Sequence, residues 1–84
     1  MELVDFLRAR LDEDEERLDA IDHVQAPAGH MARERREVEA KRRIVDLCDT
    51  ETPETGGLPL AIRTLRLLAL PYADHPDYSK AWRS

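Results

Sequence analysis

The sequence predicts an all-α protein, with an antiparallel helical hairpin, a third apolar helix and an ordered aromatic C-terminal tail. Apolar residues recur at helical spacing in three stretches, and the first two stretches carry opposite charge. The third stretch ends at a proline, and three of the four aromatic side chains follow it. A chain of 84 residues has the length of one domain. We therefore expect a single domain with helices at about 2–23, 30–47 and 58–70 and a tail at 71–84.

The first predicted helix carries an apolar stripe with one polar interruption. The stripe recurs at spacings of three, four and seven residues, at Val4, Leu7, Leu11, Leu18 and Ile21. Asp14 stands where the series would continue. A proline and a glycine within residues 26–29 then end the helical pattern, because both residue types are unfavourable inside helices.

The second predicted helix has a thinner stripe and the opposite charge. Its apolar positions Met31, Val38 and Val45 lie one heptad apart. The first 24 residues hold nine acidic and three basic side chains, whereas the next 24 hold six basic and four acidic ones. Two such helices joined by a short break predict a hairpin with complementary flanks.

The third predicted helix begins near Pro59, a residue suited to a first helical turn. One stripe contains Leu58, Ile62, Leu65 and Ala69, and further leucines make the helix apolar nearly all round: Leu60, Leu67, Leu68 and Leu70. A helix of this kind is buried or bound on more than one face. We therefore expect the chain to self-associate as a homo-oligomer or to bind a protein partner.

The candidate partner-binding residues are the aromatic side chains of the tail and two leucines near it: Tyr72, Tyr78, Trp82, Leu67 and Leu70. Tyrosine and tryptophan dominate many binding interfaces. Alternatively, the three aromatic residues cover the open side of the chain's own core. Core packing is favoured for Tyr72, which directly follows the third helix, whereas both interpretations stay open for Trp82.

A basic run in the second helix offers an alternative, which is binding to nucleic acid through Arg35, Arg36, Arg42 and Arg43. Glutamates are interleaved with these arginines, and the net charge of the chain is −5. The sequence contains no motif that reads DNA, and the chain lacks the excess of basic residues that is typical of nucleic-acid-binding domains. The favoured interpretation is that the second helix forms ion pairs among its own side chains and faces the acidic first helix.

No metal, cofactor or catalytic site is expected. Cys48, His23, His30 and His75 lack the paired short spacing that zinc sites usually show. The step Asp74-His75-Pro76-Asp77 places a histidine between carboxylates, which could orient a general base, but no nucleophile is signalled. A turn is the favoured interpretation of this step.

The chain shows no membrane or secretion signal. No apolar run approaches the roughly 20 residues that a membrane-spanning helix needs. The N-terminal residues lack a basic region followed by an apolar one. The single cysteine excludes an internal disulfide and fits a reducing compartment. We expect a cytoplasmic protein without a membrane partner.

Three blocks of the sequence resemble a family of small actinobacterial and phage proteins called domain of unknown function 6221. The blocks are LVDFLRARLDEDE, HMARERREVEAKRRIVD and TLRLLALPYADHPDYSKAW, which together cover more than half of the chain. The resemblance implies no activity, substrate or cofactor. Some members carry a cysteine-rich insertion between the second and third blocks, which could bind zinc, but here that region holds only Cys48 and DTETPETGG.

The function expected from the sequence is that of a non-catalytic protein–protein interaction module, acting as a small accessory or regulatory protein. The alternative is a nucleic-acid-associated regulator that uses the basic second helix.

Overall fold

The computed structural model describes residues 2–25, 31–50 and 58–83. The three α-helices are α1 (Leu3–Gln25), α2 (Ala32–Asp49) and α3 (Leu58–Ala69). Two short 3-10 helices, Leu70–Tyr72 and Lys80–Trp82, lie in the C-terminal segment, which we define as residues 70–83. These ranges contain no β-strand, and the prediction of an all-α fold is confirmed.

Helices α1 and α2 lie side by side in opposite directions. Three ion pairs between them follow in order along α1: Arg8 with Asp46 at 3.0 Å, Asp12 with Arg42 at 2.8 Å, and Asp19 with Arg35 at 2.6 Å. The partner on α2 moves towards its N-terminus as the residue on α1 moves towards its C-terminus, as an antiparallel pair requires. Each exposed pair stabilises the fold by only about 0.2–1 kcal/mol.

The core forms where the apolar stripes of the three helices meet. Its buried members are Phe6, Leu7, Leu11, Leu18, Val38, Val45, Leu65 and Ala69. The stripes predicted for α1 and α2 are therefore confirmed at their central positions. Phe6 was not predicted as a core residue, although it is fully buried.

The buried row of α3 is rotated from the predicted one. Ala61, Leu65 and Ala69 are buried at a spacing of four residues, whereas Ile62 is 38% exposed. A row with alanine at both ends allows the backbone of α3 to approach its neighbours closely, because alanine extends little beyond the helix surface. The stripe prediction was therefore wrong at Ile62, and the side chain of Leu58 lies outside the described residues.

Helix α2 begins and ends two residues later than the sequence predicts. At its C-terminal end, the Thr50 hydroxyl donates to the Leu47 carbonyl oxygen at 2.7 Å, which satisfies a carbonyl group that the helix leaves open. After α3, Pro71 lies in the first turn of the 3-10 helix Leu70–Tyr72. Proline has no backbone N–H, so the α-helical hydrogen bonding of α3 cannot continue through this residue.

Candidate functional site

The C-terminal segment packs on the side chain of Phe6, which projects from the first turns of α1. Four rings surround it, with centroid distances of 4.9 Å for Trp82, 5.6 Å for His75, 6.0 Å for Tyr78 and 6.3 Å for Tyr72. Tyr78 and Trp82 also meet each other at 5.4 Å and 89°. The His75, Tyr78 and Tyr72 rings lie edge-on to Phe6, an arrangement worth about 0.5–1.5 kcal/mol for each aromatic pair beyond simple burial.

A hydrogen bond joins the start of the segment to the polar interruption of the α1 stripe. The Tyr72 hydroxyl donates to Asp14 Oδ2 at 2.5 Å. Burial, together with this bond to the Asp14 carboxylate, raises the pKa of Tyr72 above its ordinary value. Arg17 Nη2 lies 3.4 Å from the other carboxylate oxygen of Asp14. Asp14 is therefore a contact point for the tail.

Arg10 forms a second polar contact between α1 and the segment. Its side chain is only 7% exposed, and its guanidinium lies 5.2 Å from the centre of the Phe6 ring. Nη2 donates to Glu13 Oε1 at 2.9 Å, and Nη1 contacts His75 Nε2. The charge of this buried cation is therefore balanced by a carboxylate and an aromatic face.

His75 has polar contacts on both sides of its ring. Its Nδ1 faces the backbone N–H of Asp77 at 3.0 Å, while Nε2 faces Arg10. Within the described ranges, no carboxylate hydrogen-bonds the ring, so the flanking aspartates do not orient it as they would a general base.

Successive turns give the C-terminal segment its shape. The N–H groups of His75 and Tyr78 donate to the carbonyl oxygens of Tyr72 and His75 at 2.9 and 3.0 Å. Ser79 starts the last 3-10 helix, because its hydroxyl accepts from the Ala81 N–H at 3.2 Å. The turn predicted for the Asp-His-Pro-Asp step and the ordered tail are both present.

Phe6, Arg10 and Asp14 of α1 contact the segment, and we call these three residues the docking row. They recur at a spacing of four residues and therefore lie on one side of the helix. Sequence reasoning missed this row because only Phe6 is apolar, and a search for apolar periodicity passes over Arg10 and Asp14. The polar interruption at Asp14 is the sequence signal that could have revealed this row, because a polar residue within an apolar stripe indicates a polar contact at that position.

Within the described residues, the outer side of α3 has no such partners. We define it as Leu60, Ile62, Arg63, Arg66 and Leu67 of α3 together with Leu70, which starts the following 3-10 helix. At 3.6 residues per turn, Leu60, Arg63, Leu67 and Leu70 lie opposite the buried row, and Ile62 and Arg66 extend this surface to one edge. Leu60 is 69% exposed and Leu67 is 62% exposed.

The charges on the outer side of α3 are both positive. Arg63 and Arg66 have no ion pair or side-chain hydrogen bond within the described part of the chain, and Arg66 Nε is buried without a partner. Helix α3 contains no acidic residue. The hydroxyl of Thr64 donates to the Leu60 carbonyl oxygen at 2.8 Å, so it is already used within the helix.

An open cleft of about 620 Å³ adjoins this surface, between the first turns of α1 and helix α3. Ile62, Leu65 and Trp82 contribute apolar area to it, and Arg66 contributes a cation. Arg8 also lines the cleft, but Asp46 and Asp49 hold its guanidinium at 3.0 and 3.3 Å. The volume falls within the range typical of ligand pockets.

The arginines considered for nucleic-acid binding are mostly engaged within the protein. Arg42 binds Asp12 and Glu15, and the hydrogen bond to Asp12 raises the pKa of Arg42 above its ordinary value. Arg35 binds Asp19 at 2.6 Å, and Arg43 binds Glu39 at 3.0 Å. Arg36 is exposed and forms no ion pair within the described ranges.

The described residues contain no group of three potential metal ligands. Cys48 is half-buried in α2, and His75 lies in the aromatic cluster. The other two histidines considered as ligands, His23 and His30, have side chains outside the described residues. Within the same ranges, no helix is both long and apolar enough to cross a bilayer.

Of the five residues predicted to bind a partner, the three aromatic ones are half-buried against the core of their own chain, and the two leucines lie on the outer side of α3. No curated protein and no solved structure matches the chain. A family model described as "Family of unknown function (DUF6221)" matches residues 1–84. The chain therefore belongs to the family called domain of unknown function 6221, as its three sequence blocks suggest.

Proposed function

We propose that this protein is a non-catalytic protein–protein interaction module that contacts another chain through the outer side of α3. The observation that carries the proposal is the exposure of Leu60 and Leu67 on a helix whose opposite side is buried. Leucines concentrated on one exposed helix face are typical of surfaces where proteins bind each other.

The packing of the aromatic residues supports the choice of this surface. Tyr72, Tyr78 and Trp82 lie against the core of their own chain. Phe6 and the core therefore already cover part of the Tyr72 and Tyr78 side chains, whereas Leu60 and Leu67 are exposed. Trp82 borders the cleft beside Ile62, so it can contact a partner while it stays on Phe6.

The test compares partners captured by three forms of the protein from an extract of the native host. The variant Leu60→Gln/Leu67→Gln removes the apolar character of the outer side of α3. The control Leu47→Gln changes a leucine of equal exposure, 68%, on α2. The proposal predicts a partner that the wild type and the control capture and that the double variant loses. If all three forms capture the same partners equally, the outer side of α3 is not the surface that binds them.

Self-association through the same surface stays a prediction. Light scattering over a wide concentration range tests it. A mass that rises with concentration in the wild type, but not in Leu60→Gln/Leu67→Gln, would support self-association. A mass that stays monomeric would leave only a different protein as the partner.

We propose a cytoplasmic location, because a single cysteine fits a reducing compartment. The nucleic-acid alternative rests on Arg35, Arg36, Arg42 and Arg43. Of these, only Arg36 has no carboxylate partner within the described ranges. Salt-dependent binding of random duplex DNA that is lost on Arg36→Gln would favour that alternative.

A further inference from the structure

We infer that the partner seated on the outer side of α3 is an acidic amphipathic helix of another protein and not a second copy of this chain. This inference rests on the proposed function and adds the chemistry of the partner. It departs from the self-association predicted from the sequence.

The charges of the surface carry the argument. The whole chain has a net charge of −5, yet the only charged residues of α3 are Arg63 and Arg66. Neither forms an ion pair within the described residues, whereas Arg35, Arg42 and Arg43 on α2 are each bound to carboxylates. The outer side of α3 is therefore an apolar surface whose two charged residues are arginines without an ion pair in the described part of the chain.

The arrangement of leucines and arginines defines the complementary sequence. Leu60, Leu67 and Leu70 follow the spacing at which one helix presents a stripe to another. Arg63 lies within this stripe, and Arg66 lies at its edge beside the cleft. A fitting partner is a helix with leucine-like residues on one side and glutamate or aspartate along the margin that faces the arginines. Arginine binds carboxylates in a bidentate geometry, which adds orientation to the apolar contact.

A second copy that packs through the same side of α3 fits this surface poorly. Two outer sides of α3 packed against each other would bring Arg63 and Arg66 of both copies together, and α3 has no carboxylate to separate them. Like charges placed together across an interface are a common means of rejecting a wrong partner. Apolar contact alone would have to overcome this repulsion.

The surroundings of the cleft fix the orientation of the partner. Glu2 and Asp5 line the cleft from α1, opposite Arg66. The acidic margin of the partner must therefore lie towards Arg63 and Arg66 and away from the start of α1. Trp82 borders the same cleft and is the only tryptophan of the chain, so its fluorescence reports an occupant directly.

The test uses two designed peptides of about 20 residues, a length at which isolated helices become stable. Both carry leucines at helical spacing, one with glutamates along the margin of the stripe and the other with lysines at the same positions. Binding to the full-length protein is measured by Trp82 fluorescence and by the anisotropy of labelled peptide. We expect the acidic peptide to bind at least about tenfold more tightly than the basic one, because it can pair with both arginines whereas the basic peptide meets like charge.

Charge-reversal variants show whether the preference comes from α3. Arg63→Glu/Arg66→Glu should reverse the preference between the two peptides. The matched control Arg33→Glu/Arg36→Glu makes the same change in net charge on exposed arginines of α2 and should leave the order unchanged. An equal effect of both double variants would overturn the inference, because the preference would then follow net charge alone.

Other outcomes separate this inference from the proposed function. Equal binding of both peptides, or binding of neither, overturns the acidic partner, while the proposed function stands if Leu60→Gln/Leu67→Gln still loses a captured host protein. Self-association that the same leucine variant abolishes also overturns the acidic partner, because the occupant is then a second copy. If neither peptide is preferred and the leucine variant captures the same host proteins as the wild type, both the acidic partner and the proposed function are overturned.

Discussion

In the C-terminal third of the chain, the aromatic side chains of the C-terminal segment and the leucines of α3 lie in contrasting surroundings. Tyr72, Tyr78 and Trp82 pack around Phe6, and a hydrogen bond from Tyr72 to Asp14 adds to this packing. Leu60 and Leu67 are exposed beside Arg63 and Arg66, which form no ion pair within the described residues. The residues that most resemble binding anchors in the sequence are thus used within the fold, and the less conspicuous leucines remain available.

The largest expected effect comes from removing the centre of the aromatic cluster. Phe6→Ala should reduce the free energy of unfolding by about 3–5 kcal/mol, because it leaves a cavity below four rings. Urea unfolding followed by circular dichroism measures this loss. The control Phe6→Leu keeps most of the volume and should cost less than about 1.5 kcal/mol. A Phe6→Ala loss below about 1 kcal/mol would mean that the segment does not depend on Phe6.

The bond between Tyr72 and Asp14 should contribute a smaller amount. Tyr72→Phe and Asp14→Ala are each expected to cost about 1–3 kcal/mol, because each leaves a half-buried polar group without its partner. In a double-mutant cycle, the two changes together should cost less than the sum of the single changes, by at least about 0.5 kcal/mol. Additive effects would show that the tail is not held at Asp14.

The same contact predicts a loss of stability at alkaline pH. The pKa of Tyr72 is raised in the folded protein, so the unfolded chain releases the hydroxyl proton at a lower pH than the folded protein does. Its contribution to stability is therefore complete below the ordinary value of 10.0 and falls as the pH rises above it. The free energy of unfolding of the wild type should decline more steeply above that pH than that of Tyr72→Phe. Parallel curves for the two proteins would contradict the raised pKa.

The smallest effect on stability is expected on the outer side of α3. Leu67→Gln should change the free energy of unfolding by no more than about 0.5 kcal/mol, because its side chain is already 62% exposed. Urea unfolding measures this change under the same conditions as Phe6→Ala. A loss above about 1.5 kcal/mol would show that Leu67 packs within the fold and is not free to bind a partner.

The sequence predicts the helices and the hairpin well, because these follow from apolar periodicity and from complementary charge. Leu7, Leu11, Val38 and Val45 lie in the core as their spacing predicts. The sequence could not show which side of α3 is buried, because the helix is apolar nearly all round and its larger residues look like better core residues than Ala61 and Ala69. Alanine is favoured at these two positions only because the helices lie in close contact there.

The proposed binding surface overlaps the sequence predictions in part. Leu67 and Leu70 are among the residues predicted to bind a partner, whereas Arg63 and Arg66 are not, because ordinary-looking arginines become distinctive only when no carboxylate pairs with them in the described residues. The function of Asp14 was also missed. A polar residue within an apolar stripe carries no sign of its partner when that partner, Tyr72, lies 58 residues away.

Native-state hydrogen exchange of the C-terminal segment tests the central claim most directly, namely that its aromatic residues close the core of their own chain. The backbone N–H groups of His75 and Tyr78 donate to carbonyl oxygens within the segment and lie beside rings that pack on Phe6. Protection of these two groups approaching that of the core residues of α1 is the result that the account predicts. Exchange as fast as in an unstructured peptide, while α1 stays protected, would contradict it.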